Sequence, residues 1–153
     1  MTWSWTIWMD QEAKRSMLRH LVACMPREGG GLFTGDILSH ADHSELFCLR
    51  HFHPLKNIAK RKDQYDADRF ELVKFVLLKL KHPNMLVATV HSHVDTPPYP
   101  SLFDKENIFS YDIPHLIVSF SDEFPRIVAY RYKSSGFYKI IEDTTLSKKE
   151  LRL

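Results

Sequence analysis

The chain has 153 residues, 44% of them hydrophobic and 26% charged, with a formal net charge of +2 at pH 7. That balance is ordinary for a folded globular protein and excludes a disordered or collagen-like chain. The charge is too small and too scattered to argue for a nucleic acid or a membrane surface as partner.

In chain order, Trp3, Trp5 and Ile7 alternate with polar residues, which predicts a half-buried first strand. Asp10 is placed to cap a helix to about Ala23, with Ala13, Met17, Leu18, Leu21 and Val22 as its apolar stripe and Pro26 just beyond. Glu28-Gly-Gly-Gly-Leu-Phe-Thr-Gly-Asp-Ile follows, its glycines letting backbone come close to something before a strand begins. Glu45 to Phe52 reads as another strand. Asp66 or Asp68 then caps a second helix through Leu80, carrying Phe70, Val73, Leu77 and Leu80 on one side, and His82-Pro83-Asn84 stops it. Met85 to Val90 is a short apolar run suited to a strand buried on both faces. It delivers His91 and, on the same face, His93. Thr96-Pro97-Pro98-Tyr99-Pro100 forces a stiff loop. Ser101 stands at the N-cap of a helix expected from Leu102 to Phe109, with Asp104 in its first turn. Strands at 115–120, 126–132 and 137–142 complete the pattern, before a polar tail from Asp143.

Neither a repeat nor a Gly/Ser/Pro-rich linker interrupts this order, so one domain is expected over residues 1–153, with its core at about 5–142 and the tail at 143–153. Cys24 and Cys48 lie outside any C-x-x-C pattern; no disulfide framework or thiolate metal site is expected, and a reducing cytoplasm is the default. No apolar run reaches the ~18 residues that span a bilayer. The first residues lack the basic n-region of a signal peptide. Lys60-Arg61-Lys62 and Lys148-Lys149 read as solvated loop and tail.

The informative stretch is His91-Ser-His93, seven residues, Ser101, two residues, Asp104. With 9 His, 12 Ser and 11 Asp, a bare H-x-H arises by composition roughly half the time, whereas the full pattern is expected about three times in a thousand such chains. It supplies two imidazoles, a hydroxyl and a carboxylate. Catalytic zinc takes three protein ligands and keeps a further position for water, and His91, His93 and Asp104 meet that requirement. A proton carrier from outside the ligand set is then needed, and a carboxylate suits the task. Ser101 is able to donate a hydrogen bond to an oxyanion developing on an attacked carbonyl. Taken singly, these residues have plainer readings: structural histidines at a strand end, a helix-start carboxylate at Asp104, an N-cap at Ser101. A second H-x-H, His51-Phe52-His53, lacks the following Ser and Asp and reads as ordinary histidines.

The pattern resembles the JAMM (MPN-plus) metalloproteases, whose signature is an early Glu in an E-x-x-G-L-Φ-x-G context followed by H-x-H-x7-S-x2-D. Glu28-Gly-Gly-Gly31-Leu32-Phe33-Thr34-Gly35 fits the first part, and Asn57-Ile-Ala59 with Tyr65-x-x-Asp68 looks like the family's middle segment. The resemblance covers roughly Glu28 to Tyr132. It implies an α/β (mixed α+β) MPN-type domain with a central mixed sheet flanked by helices. It further implies Zn2+ held by His91, His93 and Asp104, with Glu28 as general acid/base and Ser101 as oxyanion donor. The implied activity is that of a deubiquitinase-like isopeptidase. It hydrolyses the amide or isopeptide bond at the C-terminus of a ubiquitin-like protein, in a setting such as a bacterial conjugation or antiphage system. Val94 stands where many members have Pro, and Gly30 where many have Cys; neither position is a ligand or a proton carrier.

Two other readings accompany it: a phage-tail-type JAMM peptidase, whose usual second peptidase domain this length does not accommodate, and a non-catalytic MPN scaffold, which the intact ligand set argues against. A zinc deaminase is set aside because its H-x-E and P-C-x-x-C signature is absent. The Trp-rich and Tyr-rich ends offer surface for a homodimer, although no spacing requires one.

Overall fold

A computed structural model describes residues 4–110, 112–133 and 136–143. Trp3, Lys148-Lys149 and the tail after Asp143 lie outside the described residues. The elements, in order, are β1 (Ser4–Met9), α1 (Gln11–Cys24), β2 (Gly30–Ser39), β3 (Ser44–Leu55), α2 (Arg69–Lys81), β4 (Leu86–His93), α3 (Leu102–Glu106), β5 (His115–Ser119), β6 (Arg126–Lys133) and β7 (Gly136–Asp143). The strands form one seven-stranded sheet in the order β1-β3-β2-β4-β5-β6-β7. It is mixed: β1 with β3 and β4 with β5 run parallel, and the other neighbours antiparallel. The expected mixed α/β architecture is what the chain adopts. Among the described residues no helix is long and apolar enough to cross a membrane.

Asp10 caps α1 by accepting from the Glu12 and Ala13 amides, as its position before the apolar stripe predicts. Met17, Leu18 and Leu21 then pack with Phe33, Phe47, Leu49, Val87 and Val118 into the larger core. The opposite face of the sheet carries a smaller core, in which Phe75 of α2 meets Leu32, Leu55, Leu86 and Ile113. Asp68, rather than Asp66, caps α2. The stripe of Phe70, Val73, Leu77 and Leu80 does share one side of α2, but that side faces solvent. Helical periodicity locates such a stripe without saying what lies opposite it.

Register shifts between Phe33 and Thr34 set the face of the whole β4 strand. Across this bulge Val87 and Ala88 both join the larger core, after which Val90 continues on that side. Thr89, His91 and His93 therefore emerge together on the other face. A second bulge at Thr34/Gly35 brings the Cys48 carbonyl against Gly35, where a Cβ has no room. α3 ends at Glu106, three residues short of the helix expected to Phe109. Asn107 leaves helical geometry (φ −118, ψ 41) and its side-chain amide donates to the Phe103 carbonyl at 2.8 Å. That bond satisfies a carbonyl that a further helical turn would have used, and Phe109 turns in against the smaller core.

Candidate metal centre

β2 and β4 place Gly30 opposite His91 in antiparallel register, so Glu28, just before β2, arrives beside the end of β4. Two side-chain links hold that approach. The Ser92 hydroxyl, on the buried face between the two histidines, accepts the Gly29 amide at 2.9 Å. Asn57 donates to the Glu28 carbonyl at 2.9 Å and the Gln64 carbonyl at 2.8 Å, while its own oxygen accepts the Ala59 and Asp66 amides. Every hydrogen-bonding position of that amide is used.

The result brings Glu28, His91, His93 and Asp104 together, with one donor atom from each lying within 4.8 Å of the others. His91 Nε2 and His93 Nε2 are 3.3 Å apart, and each is 3.2 Å from an oxygen of Asp104. Tetrahedral ligands at the bond lengths usual for zinc are separated by about 3.3 Å, so this triangle already has the size of three corners of such a site. Glu28 Oε1 is buried with no hydrogen-bond partner among the described residues. A buried carboxylate oxygen without a partner is costly, and here it stands beside three further donors. The donor set, two nitrogens and carboxylate oxygens, suits a divalent metal ion.

The electrostatics match the packing. Burial is the largest influence on Glu28 and pushes its pKa up to about 7, against the opposing pull of His91 and His93. Burial also works to raise Asp104, but hydrogen bonds from His91 and His93 outweigh it and hold the carboxyl well below the usual range. For His93, burial disfavours the charged form, and the bonds to Asp104 and to the Pro97 carbonyl overcome it and raise the pKa. Two carboxylates thus sit in one cluster with their affinities for protons pushed apart, the arrangement that separates a ligand from a proton carrier.

Supporting contacts fix the ring orientations. His93 Nδ1 donates to the Pro97 carbonyl at 2.8 Å, so that in the neutral ring it is Nε2 that turns a lone pair toward the cluster. The Pro-rich loop that carries this carbonyl is itself tied down: the Ser119 hydroxyl donates to Thr96 O and the Tyr130 hydroxyl to Pro98 O. Tyr65 lies parallel to the His91 ring, with centroids 5.8 Å apart. Its ring crosses Gly30, where a Cβ would collide with Tyr65 and come within 2.6 Å of the Val90 carbonyl. The glycine at position 30 is therefore matched by the tyrosine that fills the space. Ser101 caps α3 in a capping box, its hydroxyl accepting the Asp104 amide at 3.1 Å and its amide donating to Asp104 Oδ2 at 2.9 Å. It thereby orients Asp104, and its own O–H remains available to donate.

The second H-x-H stays apart. His53 bonds the Thr34 hydroxyl at 2.8 Å, and His51 is exposed. The sequence alone did not reveal Ser92, Ser119 or Tyr130 as parts of the site's frame, because their partners are backbone groups far away in the chain, and it marked Asn57 only through the resemblance, without its bond to Glu28. Two cavities flank the cluster. One of about 370 Å³ is lined by Tyr65, His91, Asp104, Asn107, His115 and Tyr130, among others. The other, of about 430 Å³, lies on the Glu28 side between Pro26, Arg61, Lys62 and Val94 to Thr96.

Comparison with known proteins bears on the fold and the family. Solved structures similar to this chain include the solution structure of a protein from Desulfitobacterium hafniense, with a TM-score of 0.72 and 24% identity over 88% of this chain and 90% of that one. A second, from Salinibacter ruber, has a TM-score of 0.57 and 20% identity over 87% and 88%. At such identities the likeness speaks for the fold. No curated protein matches. The family model of prokaryotic homologs of the JAB domain matches residues 10–131, a span that contains every residue of the cluster, and the chain belongs to that family.

Proposed function

We infer that this chain is a zinc-dependent peptidase or isopeptidase that hydrolyses the amide bond at the C-terminal tail of a ubiquitin-like protein, either to process it or to release it from a conjugate. The observation that carries the reading is the meeting of four donors in one cluster, three at tetrahedral spacing and the fourth, Glu28, carrying a buried oxygen with no hydrogen-bond partner among the described residues. His91, His93 and Asp104 would hold the ion. A bound zinc ion supplies Lewis acidity and lowers the pKa of water at the site toward about 7.

Glu28, with its pKa lifted to about 7, is matched to proton transfer at neutral pH. It takes a proton from the attacking water and passes it to the departing amine nitrogen. The carbon–nitrogen bond breaks, leaving a carboxylate on the modifier and a free amine on the other product. Ser101 donates its hydroxyl hydrogen to the oxygen of the attacked carbonyl. The choice of a ubiquitin-like tail rests on family membership and on the motif.

The test is cleavage of ubiquitin-like fusion proteins by the wild type and by Glu28→Gln, with zinc content measured on both. The expected result is a loss of about 10²- to 10⁴-fold in kcat with zinc retained. Equal cleavage by the two proteins would remove Glu28 from the mechanism. Zinc binding without cleavage of any modifier fusion would reject the substrate class and leave the metal site standing.

A further inference from the structure

The outer face of α2 carries a second, independent feature. Phe70, Val73, Leu77 and Leu80 are 93%, 52%, 55% and 75% exposed, and they follow one another at intervals of three, four and three residues. That is the a/d spacing of a coiled-coil seam, widened at the second g position by Val76, which is 42% exposed. The helix does not need this seam for its own packing, since Phe75, directly opposite, is buried with Leu72 and Leu78 beside it. Folded monomers rarely leave a contiguous apolar patch of more than roughly a few hundred Å² in water without using it.

The flanks of the seam indicate what covers it. At the e positions stand Lys74 and Lys81, both exposed, while the g positions hold Arg69, paired with Asp66, and the apolar Val76. The acidic groups nearby are engaged elsewhere: Asp68 caps the helix, Glu71 accepts the Lys56 amide, and Asp66 pairs with Arg69. A second copy of this chain is a poor occupant. Antiparallel pairing would set Lys74 and Lys81 against the same lysines, and parallel pairing would offer them only Arg69, already paired with Asp66, and Val76; charges at e and g positions decide such choices. We propose that α2 docks an amphipathic helix of another protein, one with an apolar a/d seam flanked by Glu or Asp. Asp66, Arg69 and Leu72 also line the cavity that holds His91 and Asp104. The docked helix therefore lies beside the mouth of the metal centre, where a partner is placed to present or exclude substrate. The docking surface stands whether or not the chain is a peptidase.

The experiment uses the full chain and a fluorescein-labelled helical peptide with Leu at a and d and Glu at e and g. A companion peptide carries Lys at e and g. Fluorescence anisotropy is expected to show the Glu peptide binding at least about tenfold more tightly than the Lys peptide. The double substitution Lys74→Glu/Lys81→Glu should invert that preference, and Leu77→Glu should abolish binding of both, with unchanged circular dichroism. Failure to bind, or equal binding of both peptides, overturns the proposal. So does self-association in sedimentation velocity that Leu77→Glu removes, which assigns the seam to a second copy. Co-sedimentation with phosphatidylserine vesicles in the absence of peptide binding would assign it to a membrane surface and overturn it likewise.

Discussion

Glu28 keeps a carboxylate oxygen buried and without a hydrogen bond among the described residues, and three neighbouring donors make that arrangement intelligible. Around it, single residues carry distinct burdens that can be separated by experiment. His115 is one. Its Nε2 donates to the Ser110 carbonyl at 2.6 Å and its Nδ1 accepts from the Thr89 hydroxyl at 2.5 Å, and burial pushes its pKa down to about 4. An unfolded histidine takes up its proton near 6.5, so from there down to about 4 the unfolded chain binds a proton that the folded chain refuses. Stability should fall as pH drops through that window. The loss from His115 alone between pH 7 and pH 5 is on the order of 1–2 kcal/mol. Urea denaturation at the two pH values should show a larger drop for the wild type than for His115→Gln; identical drops would contradict the assignment. Gly30 is another. In Gly30→Ala the added methyl meets Tyr65 and the Val90 carbonyl, and a cost of about 1–3 kcal/mol is expected. Because Tyr65 is stacked on His91, metal affinity should fall as well. Adding Tyr65→Ala to Gly30→Ala should recover part of the stability, as measured by thermal unfolding.

At the scale of elements, what the sequence disclosed and what it hid have physical reasons. α1 was legible in full because its cap, Asp10, and its buried stripe are local signals. The face shared by His91 and His93 was legible because strand alternation is strict. The bulge that decides which face this is was not, since it depends on how β2 pairs with β4. For α2, spacing found the apolar stripe but not its exposure, because Phe75 and the flanking leucines compete equally well for the core. α3 stops early through a side-chain bond that follows from Asn107 only once the fold has placed it. The loop from Lys56 to Asp68 is the element whose role was least visible. Asn57 makes four hydrogen bonds inside it and to Glu28, and Arg27 and the Glu28 amide add bonds to Ala59 and Lys62. Asn57→Ala leaves several of these groups unpartnered and should cost about 2–3 kcal/mol in urea denaturation. It should also lower kcat more than it lowers metal content, because it frees Glu28 rather than a ligand. An effect on stability alone would limit Asn57 to holding the loop.

For the molecule as a whole, the sheet curls so that its two halves meet. Arg131 on β6 pairs with Glu45 on β3 at 2.8 Å, although β2, β4 and β5 separate these strands in the sheet order. Its guanidinium also lies 5.9 Å from the Trp5 ring and 5.3 Å from the Phe47 ring. Both charged side chains are largely buried, so Arg131→Ala leaves Glu45 without its partner and should cost about 3 kcal/mol in denaturation. The curl encloses the larger core around α1 and leaves the opposite face to α2 and the Glu28–His91–His93–Asp104 cluster, which is why that cluster and an exposed seam coexist on one side of a small protein. The central claim, that His91, His93 and Asp104 form a zinc site with Glu28 as its proton carrier, is tested most directly by elemental analysis of the purified wild type, His91→Ala/His93→Ala and Glu28→Gln. The account predicts about one equivalent of zinc in the wild type and in Glu28→Gln and essentially none in the double histidine variant. A wild type that binds no zinc, or a double variant that keeps it, would contradict the account.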